Sequence, residues 1–134
     1  MVIDMKRRNI SYNSLFESQI GFSRAVRIEN FISVSGTAPI TPNGVTVKLN
    51  DVYSQTKYCI EIMKKSIEKA GGKLEDVIRT RIMLKDINNW KEAAKAHSEF
   101  FKKIKPACTF FEVNSFVNPD WLVEIEADCV IFQK

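Results

Sequence analysis

The run from Trp121 to Val130 constrains this chain more than any other stretch. Val123, Ile125, Ala127, Cys129 and then Ile131 alternate with Glu124, Glu126 and Asp128. Successive side chains of a β-strand point to opposite faces, so the spacing predicts a strand with one dry face and one acidic face. A row of carboxylates on a sheet is ordinarily solvated. Turned into a cleft, the same row needs partners, because an unpaired buried charge is costly. The alternation alone leaves both situations open.

At 134 residues the chain has room for one domain with a real core and not for two ordinary ones. Its 45% apolar and 27% charged residues are a globular composition. The net charge of +4 comes largely from Lys6-Arg7-Arg8 and from Lys102, Lys103 and Lys105. Neither cluster alternates with aromatic residues as a stacking platform does, so nucleic acid is not expected as the main ligand. No apolar run reaches the length of a signal-peptide core or a membrane span, and a cytoplasmic location is expected. Cys59, Cys108 and Cys129 are odd in number, widely spaced and without a Cys-x-x-Cys pair, which argues against both a disulfide framework and a zinc site.

Taken in order, residues 1–20 are unpatterned and are expected to form an irregular arm. Arg24, Val26 and Ile28 alternate with Ser23, Ala25 and Arg27, and Phe31 to Ser35 resumes after Glu29-Asn30, which predicts a hairpin. Gly36 ends its second strand, where a missing side chain allows close approach. Pro42-Asn43-Gly44 is a turn, and Val45-Thr46-Val47 a possible short strand. Asn50 is placed to cap a helix from Asp51 whose buried stripe is Val52, Thr56, Cys59, Ile60, Met63, Ile67 and Ala70, stopped by Gly71-Gly72. A strand follows over 76–86, with Ile78, Thr80, Ile82 and Leu84 on one side and Arg79, Arg81, Met83 and Lys85 on the other. Asn88 caps a second helix with Trp90, Ala93, Ala94, His97, Phe100 and Phe101 on its apolar face, where His97 reads as packing and not as a base. Pro106 opens a fourth strand, and Asn118-Pro119-Asp120 turns into the fifth. The sum is an α+β domain: a mixed sheet with two helices on one face and a part-apolar second face suited to oligomerisation.

Five stretches together resemble a known family. They are Ser33-Val34-Ser35-Gly36, Ala70-Gly71-Gly72-Lys73-Leu74-Glu75-Asp76-Val77, Leu84-Lys85-Asp86-Ile87-Asn88-Asn89-Trp90, Pro106-Ala107-Cys108-Thr109 and Val123-Glu124-Ile125-Glu126-Ala127. Their order and spacing over about residues 20 to 132 are similar to the reactive intermediate deaminase (Rid, YjgF-like) family. The resemblance implies a chorismate-mutase-like fold over 1–134, a homotrimer, and a small-molecule ligand in clefts between subunits. It also implies hydrolysis of 2-imino acids such as 2-iminopropanoate and 2-iminobutanoate to 2-oxo acids and ammonia, without a cofactor.

That chemistry needs a fixed cation for the substrate carboxylate and a positioned water at the imine carbon. A guanidinium fork meets the first need. In active relatives the arginine follows Pro-Ala, and here that position is Cys108. The glutamate that positions water maps onto Glu124, as the expected catalytic residue. Ser35 and Gly36 are retained as ligand-contacting positions; Phe22 stands where relatives have a tyrosine, Ala94 where many have an asparagine, and Phe110 two residues after the missing arginine. Losing a charge-assisted bond of about 1.5–3 kcal/mol lowers carboxylate affinity by roughly one to two decades. The expectation is a small-molecule-binding relative without ordinary 2-imino acid deaminase activity. Two alternatives stand beside it: hydrolysis of a different imine- or amide-like substrate by Glu124, and a nucleophilic role for Cys108. Arg24 and Arg81 are the two candidates to replace the lost cation.

Overall fold

In a computed structural model, which describes residues 6–132, the described residues form a six-stranded mixed sheet with three α-helices. In chain order these are β1 (Arg7–Ile10), α1 (Leu15–Ile20), β2 (Ala25–Ile28), β3 (Phe31–Thr37), α2 (Val52–Lys69), β4 (Val77–Leu84), α3 (Trp90–Phe101), β5 (Ala107–Glu112) and β6 (Val123–Val130). The strand order is β1-β2-β3-β6-β4-β5, antiparallel throughout except for the β4–β5 pair. The predicted α+β architecture is present. β6 lies inside the sheet between β3 and β4, which is why its dry face is fully covered: Val123, Ile125, Ala127 and Cys129 are all buried.

The core is built between that face and the two long helices. Thr56, Cys59, Ile60, Met63 and Ile67 of α2 are buried, as the helical stripe predicts, against Ile32, Val34, Ile82 and Leu84 of the sheet. Gln55 and Ser66 are buried on α2 as well, though polarity hid them from the stripe. The α2 N-cap is Asp51, whose carboxylate accepts from the Ser54 amide at 3.0 Å; the predicted cap, Asn50, lies one residue too early. On α3, Ala93, Ala96 and Phe101 face inward, while Trp90 is 46% exposed and not part of the buried face. His97 packs as expected, its ring against Phe101 and its Nε2 2.9 Å from Thr80 Oγ1.

Three sequence expectations are corrected here. The first is the irregular arm over 1–20. Residues 1–5 lie outside the described residues, but Arg7–Ile10 pairs with β2 as a sixth strand and Leu15–Ile20 is a helical turn and a half. Ser14 and Glu17 form a reciprocal capping box there, and Gly21 closes the helix at φ 89°. The second is Ile78, expected on the same side of its strand as Thr80, Ile82 and Leu84 and found 46% exposed where those three are buried. A bulge between Val77 and Arg79 supplies one extra residue, so Val77 takes the inward position and the alternation resumes at Thr80. The third is the possible strand at Val45-Thr46-Val47, which makes only an isolated bridge, Ile40 to Thr46.

α2 ends in a Schellman turn, with the Gly72 amide donating to Ile67 O and the Gly71 amide to Glu68 O, both at 2.9 Å. Two guanidinium groups complete it. Arg27 Nη1 donates to Ala70 O at 2.7 Å, and Arg8 donates to Ala70 O and Lys69 O at 3.3 and 3.2 Å. Cations at the negative end of a helix dipole are favourable. Arg27→Ala is expected to lower the unfolding free energy by about 1 kcal/mol in a denaturant titration, with Arg27→Lys recovering part of it; an unchanged midpoint would refute the clamp.

Candidate functional site

The acidic row of β6 turns out to occupy both situations at once. Glu126 and Asp128 lie on the sheet face opposite the helices, where Arg81 Nη1 reaches each of them at 3.4 Å. Arg81 is thus spent on the sheet surface. Glu124, at the start of the strand, instead lines a cavity of about 420 Å³ at the end of the sheet. Its walls are α1, the segment 38–44 and the segment that carries Val117, Asn118 and Trp121.

Local irregularity places the groups at this end. The β3–β6 register steps from Val34↔Ala127 to Thr37↔Ile125, so one extra residue is inserted around Ser35-Gly36. The bulge brings Gly36 against Glu124, where an added Cβ would lie 3.3 Å from Glu124 Oε1. A side chain here would make the Glu124 carboxylate give by a few tenths of an ångström, so the missing Cβ favours its present position. Arg24 stitches the bulge from the neighbouring strand: its Nη2 donates to Thr37 Oγ1 at 2.7 Å, to Gly36 O at 3.1 Å and to Ser35 O at 3.5 Å. The Arg24 guanidinium also lies over the Phe22 ring, 5.7 Å from its centroid.

The electrostatics follow from burial and from this grouping. Burial pushes the Glu124 carboxyl above its ordinary value; Arg24 opposes that and neighbouring Glu126 adds to it. Burial also depresses Arg24, offset by the charges of Glu17 and Glu124. Glu17, on α1, is only 6% exposed. Burial works to raise it, but the Ser11 and Ser14 hydroxyls and the Ser14 and Tyr12 amides outweigh burial and hold it below its ordinary value. Its Oε2 accepts from the Ser14 and Tyr12 amides at 3.1 and 3.3 Å. Its Oε1 is buried and has no hydrogen-bond partner among the described residues.

Of the residues singled out from the sequence, Phe22, Gly36 and Glu124 line this cavity together with Arg24. Ser35 sits at the bulge, with its hydroxyl donating to Ser23 O at 2.6 Å. Cys108 and Phe110 lie elsewhere, on the edge strand β5. Cys108 is exposed beside Thr80, and Phe110 packs edge-on against Trp90 and His97 with ring centroids 6.4 Å away in each case. Within one chain, then, position 108 is apart from Glu124. Sequence reasoning missed Glu17 and Trp121. The first had a signal, the Ser14-Leu15-Phe16-Glu17 capping-box pattern followed by Gly21. Trp121 had none: it is buried, donates its indole N–H to Thr46 Oγ1 at 3.2 Å, and meets Phe16 edge-on at 6.5 Å across the cavity wall.

Comparison with known proteins matches these features to a family. The family model described as Endoribonuclease L-PSP matches residues 13–131. A RutC family protein of Pyrococcus abyssi is 39% identical over 106 residues, covering 79% of this chain and 83% of its own. The 3-aminoacrylate deaminase RutC of Acinetobacter baylyi is 33% identical over 101 residues, covering 75% and 79%. Among solved structures, a member of the YjgF/YER057c/UK114 family from Mycobacterium tuberculosis superposes with a TM-score of 0.86 at 37% identity, covering 94% of this chain and all of its own. The chain therefore belongs to the Endoribonuclease L-PSP family, the Rid/YjgF family that its five sequence stretches resemble.

Proposed function

We propose that this protein is a small-molecule-binding member of the Rid family that lacks ordinary 2-imino acid deaminase activity. The observation that carries the reading is the content of the cavity: Glu124, Gly36 and Phe22 are gathered with Arg24, whose Nη2 is already taken up by Gly36 O and Thr37 Oγ1. Arg24 is the cation nearest to the chemistry, but it is tied to the bulge and shares its charge with Glu17 and Glu124. It is a poor substitute for a free guanidinium fork facing a substrate carboxylate. Cys108 reaches such a cavity only if a second copy brings its edge strand to the seam. Exposed Ile28, Phe31 and Phe111 on the sheet face away from the helices support a homotrimer of that kind.

A second reading is favoured by one observation, the raised carboxyl of Glu124. Burial that raises a carboxyl above its ordinary value makes it a better proton carrier toward water and an imine nitrogen, which supports hydrolysis of a substrate that needs no carboxylate anchor. The relative named as a 3-aminoacrylate deaminase acts on an enamine, which makes C–N hydrolysis the first reaction class to assay.

The test has two arms. Ammonia release from 2-iminopropanoate generated in situ is expected to match the protein-free rate, and Cys108→Arg is expected to raise it if a neighbouring copy closes the cavity. A metabolite screen followed by thermal unfolding is expected to find ligand-dependent stabilisation, about 2.7 kcal/mol at a hundredfold excess over Kd. Turnover of 2-iminopropanoate by the unaltered protein would overturn the lack of deaminase activity, and a silent screen would overturn small-molecule binding.

A further inference from the structure

Arg24 acts on the bulged end of β3 and on Glu124 in two different ways. Through one nitrogen, Nη2, it donates to Thr37 Oγ1 at 2.7 Å, to Gly36 O at 3.1 Å and to Ser35 O at 3.5 Å. The bulge is closed further by the Ser35 hydroxyl on Ser23 O at 2.6 Å, the Ser35 amide on Arg24 O at 3.0 Å and the Thr37 hydroxyl on Ser35 O at 2.9 Å. Gly36 is thereby held where an added Cβ would stand 3.3 Å from Glu124 Oε1. The three acceptors of Arg24 all belong to β3, so Glu124 meets Arg24 as a charge and not as a donor. Burial favours the neutral carboxyl and Glu126 favours it further, while Arg24 works against both. The other titratable groups at this end are the Cys59 thiol of α2, kept neutral by burial, and Glu17 and Tyr12 beside Arg24. All of these groups belong to one chain, so the arrangement does not wait on a second copy.

We propose, resting on the reading of Glu124 as the group that handles protons in the cavity, that Arg24 is its positioning residue: Nη2 fixes the bulge against which the carboxyl lies, and the guanidinium charge draws that carboxyl toward its ionised form, as a base toward water. The two parts use different properties of one side chain, its hydrogen-bonding geometry and its charge, and substitution separates them. Methionine removes both. Lysine keeps the charge on a flexible stem and loses the planar guanidinium. A residue that served stability alone would leave the carboxyl's titration unmoved wherever the variant folds.

The experiment follows the Glu124 side-chain carboxyl carbon by NMR in a pH titration of the full chain, its signal identified by its absence from Glu124→Gln, together with the backbone amides of Gly36 and Thr37. In Arg24→Met the Glu124 midpoint is expected to move to higher pH, because burial then acts without the opposing charge, and both amides are expected to leave their native positions. In Arg24→Lys the midpoint is expected to return most of the way to its native value while the amides stay displaced. Thr37→Val keeps the guanidinium and removes its nearest acceptor; it is expected to displace the Gly36 amide and leave the midpoint close to native. Circular dichroism melts establish which variants fold, and Arg24→Lys with Thr37→Val decides both halves if Arg24→Met does not. A native midpoint in Arg24→Met, or a raised one in Arg24→Lys, would overturn the part assigned to charge. Native Gly36 and Thr37 amides in Arg24→Lys and Thr37→Val would overturn the part assigned to the bulge. Both signals are read without substrate, so the positioning of Glu124 is decided by NMR, and its part in hydrolysis separately by the ammonia assays.

Discussion

Gln55→Ala is expected to lower the unfolding free energy by about 3 kcal/mol, although Gln55 touches no charged group. Its side chain is wholly buried in α2 and holds three backbone groups: Nε2 donates to Val47 O at 3.3 Å and to Asp120 O at 3.1 Å, and Oε1 accepts from the Leu122 amide at 2.8 Å. Truncation takes the partner from three part-buried backbone groups and empties a wholly buried side-chain site, and together these losses reach about 3 kcal/mol. The consequence passes directly to the site. Leu122 and Asp120 flank Trp121, and Trp121 with Val117 forms a cavity wall. The variant is therefore expected to lose ligand-dependent stabilisation as well as midpoint temperature. A loss under 1 kcal/mol in urea unfolding would show that the 113–122 segment is anchored by something other than this amide.

The second large effect is expected from Arg24→Met. Removing the guanidinium unties Thr37, Gly36 and Ser35 from the residue before β2 and withdraws the positive charge that interacts with Glu17 and Glu124. A hydrogen bond to a charged group contributes about 1.5–3 kcal/mol, and about 3 is expected here for the loss of the Nη2 contacts to Thr37 Oγ1 at 2.7 Å and Gly36 O at 3.1 Å. The loss should depend on pH. Burial already raises Glu124 in the folded protein, and deleting Arg24 removes the charge that opposes the rise. A folded carboxyl that titrates above its unfolded value binds protons that the unfolded chain has released. Stability then falls as pH increases from the ordinary carboxylate range through the folded value. The deficit of Arg24→Met should thus be smaller at pH 5 than at pH 8 in matched denaturant titrations, and Glu124→Gln added to it should flatten the difference. An equal deficit at both pH values would remove Glu124 from the account.

Much of the sheet was legible because its signals are local. Alternation gave β6 its two faces, Glu29-Asn30 separated the hairpin strands at Ile28↔Phe31, and the α2 stripe found the buried positions other than the polar ones. Ile78 was misplaced because a bulge shifts the period by one residue, and no residue type in Val77-Ile78-Arg79 announces it. Gln55 and Ser66 were overlooked for a different reason. Their burial is repaid by hydrogen bonds, to loops 8 to 67 residues away for Gln55 and to Ile62 O for Ser66, which polarity patterns do not encode. The capping box at Ser14 and Glu17 shows the opposite failure: the signal was present in a stretch whose polar composition suggested none.

For the site, the division falls between residue identity and assembly. The chain's own order of residues determined that Glu124 alternates with a dry face, that Gly36 has no side chain, and that the position after Pro106-Ala107 carries a thiol. Only the tertiary structure decided that Glu124 parts company from Glu126 and Asp128, that Arg24 and not Arg81 stands beside it, and that Glu17 closes the same cavity from α1. The physical reason is distance along the chain. Residues 17, 24, 36 and 124 come from four separate segments, and it is the packing of α1 over the bulged end of the sheet that brings their charges together out of water.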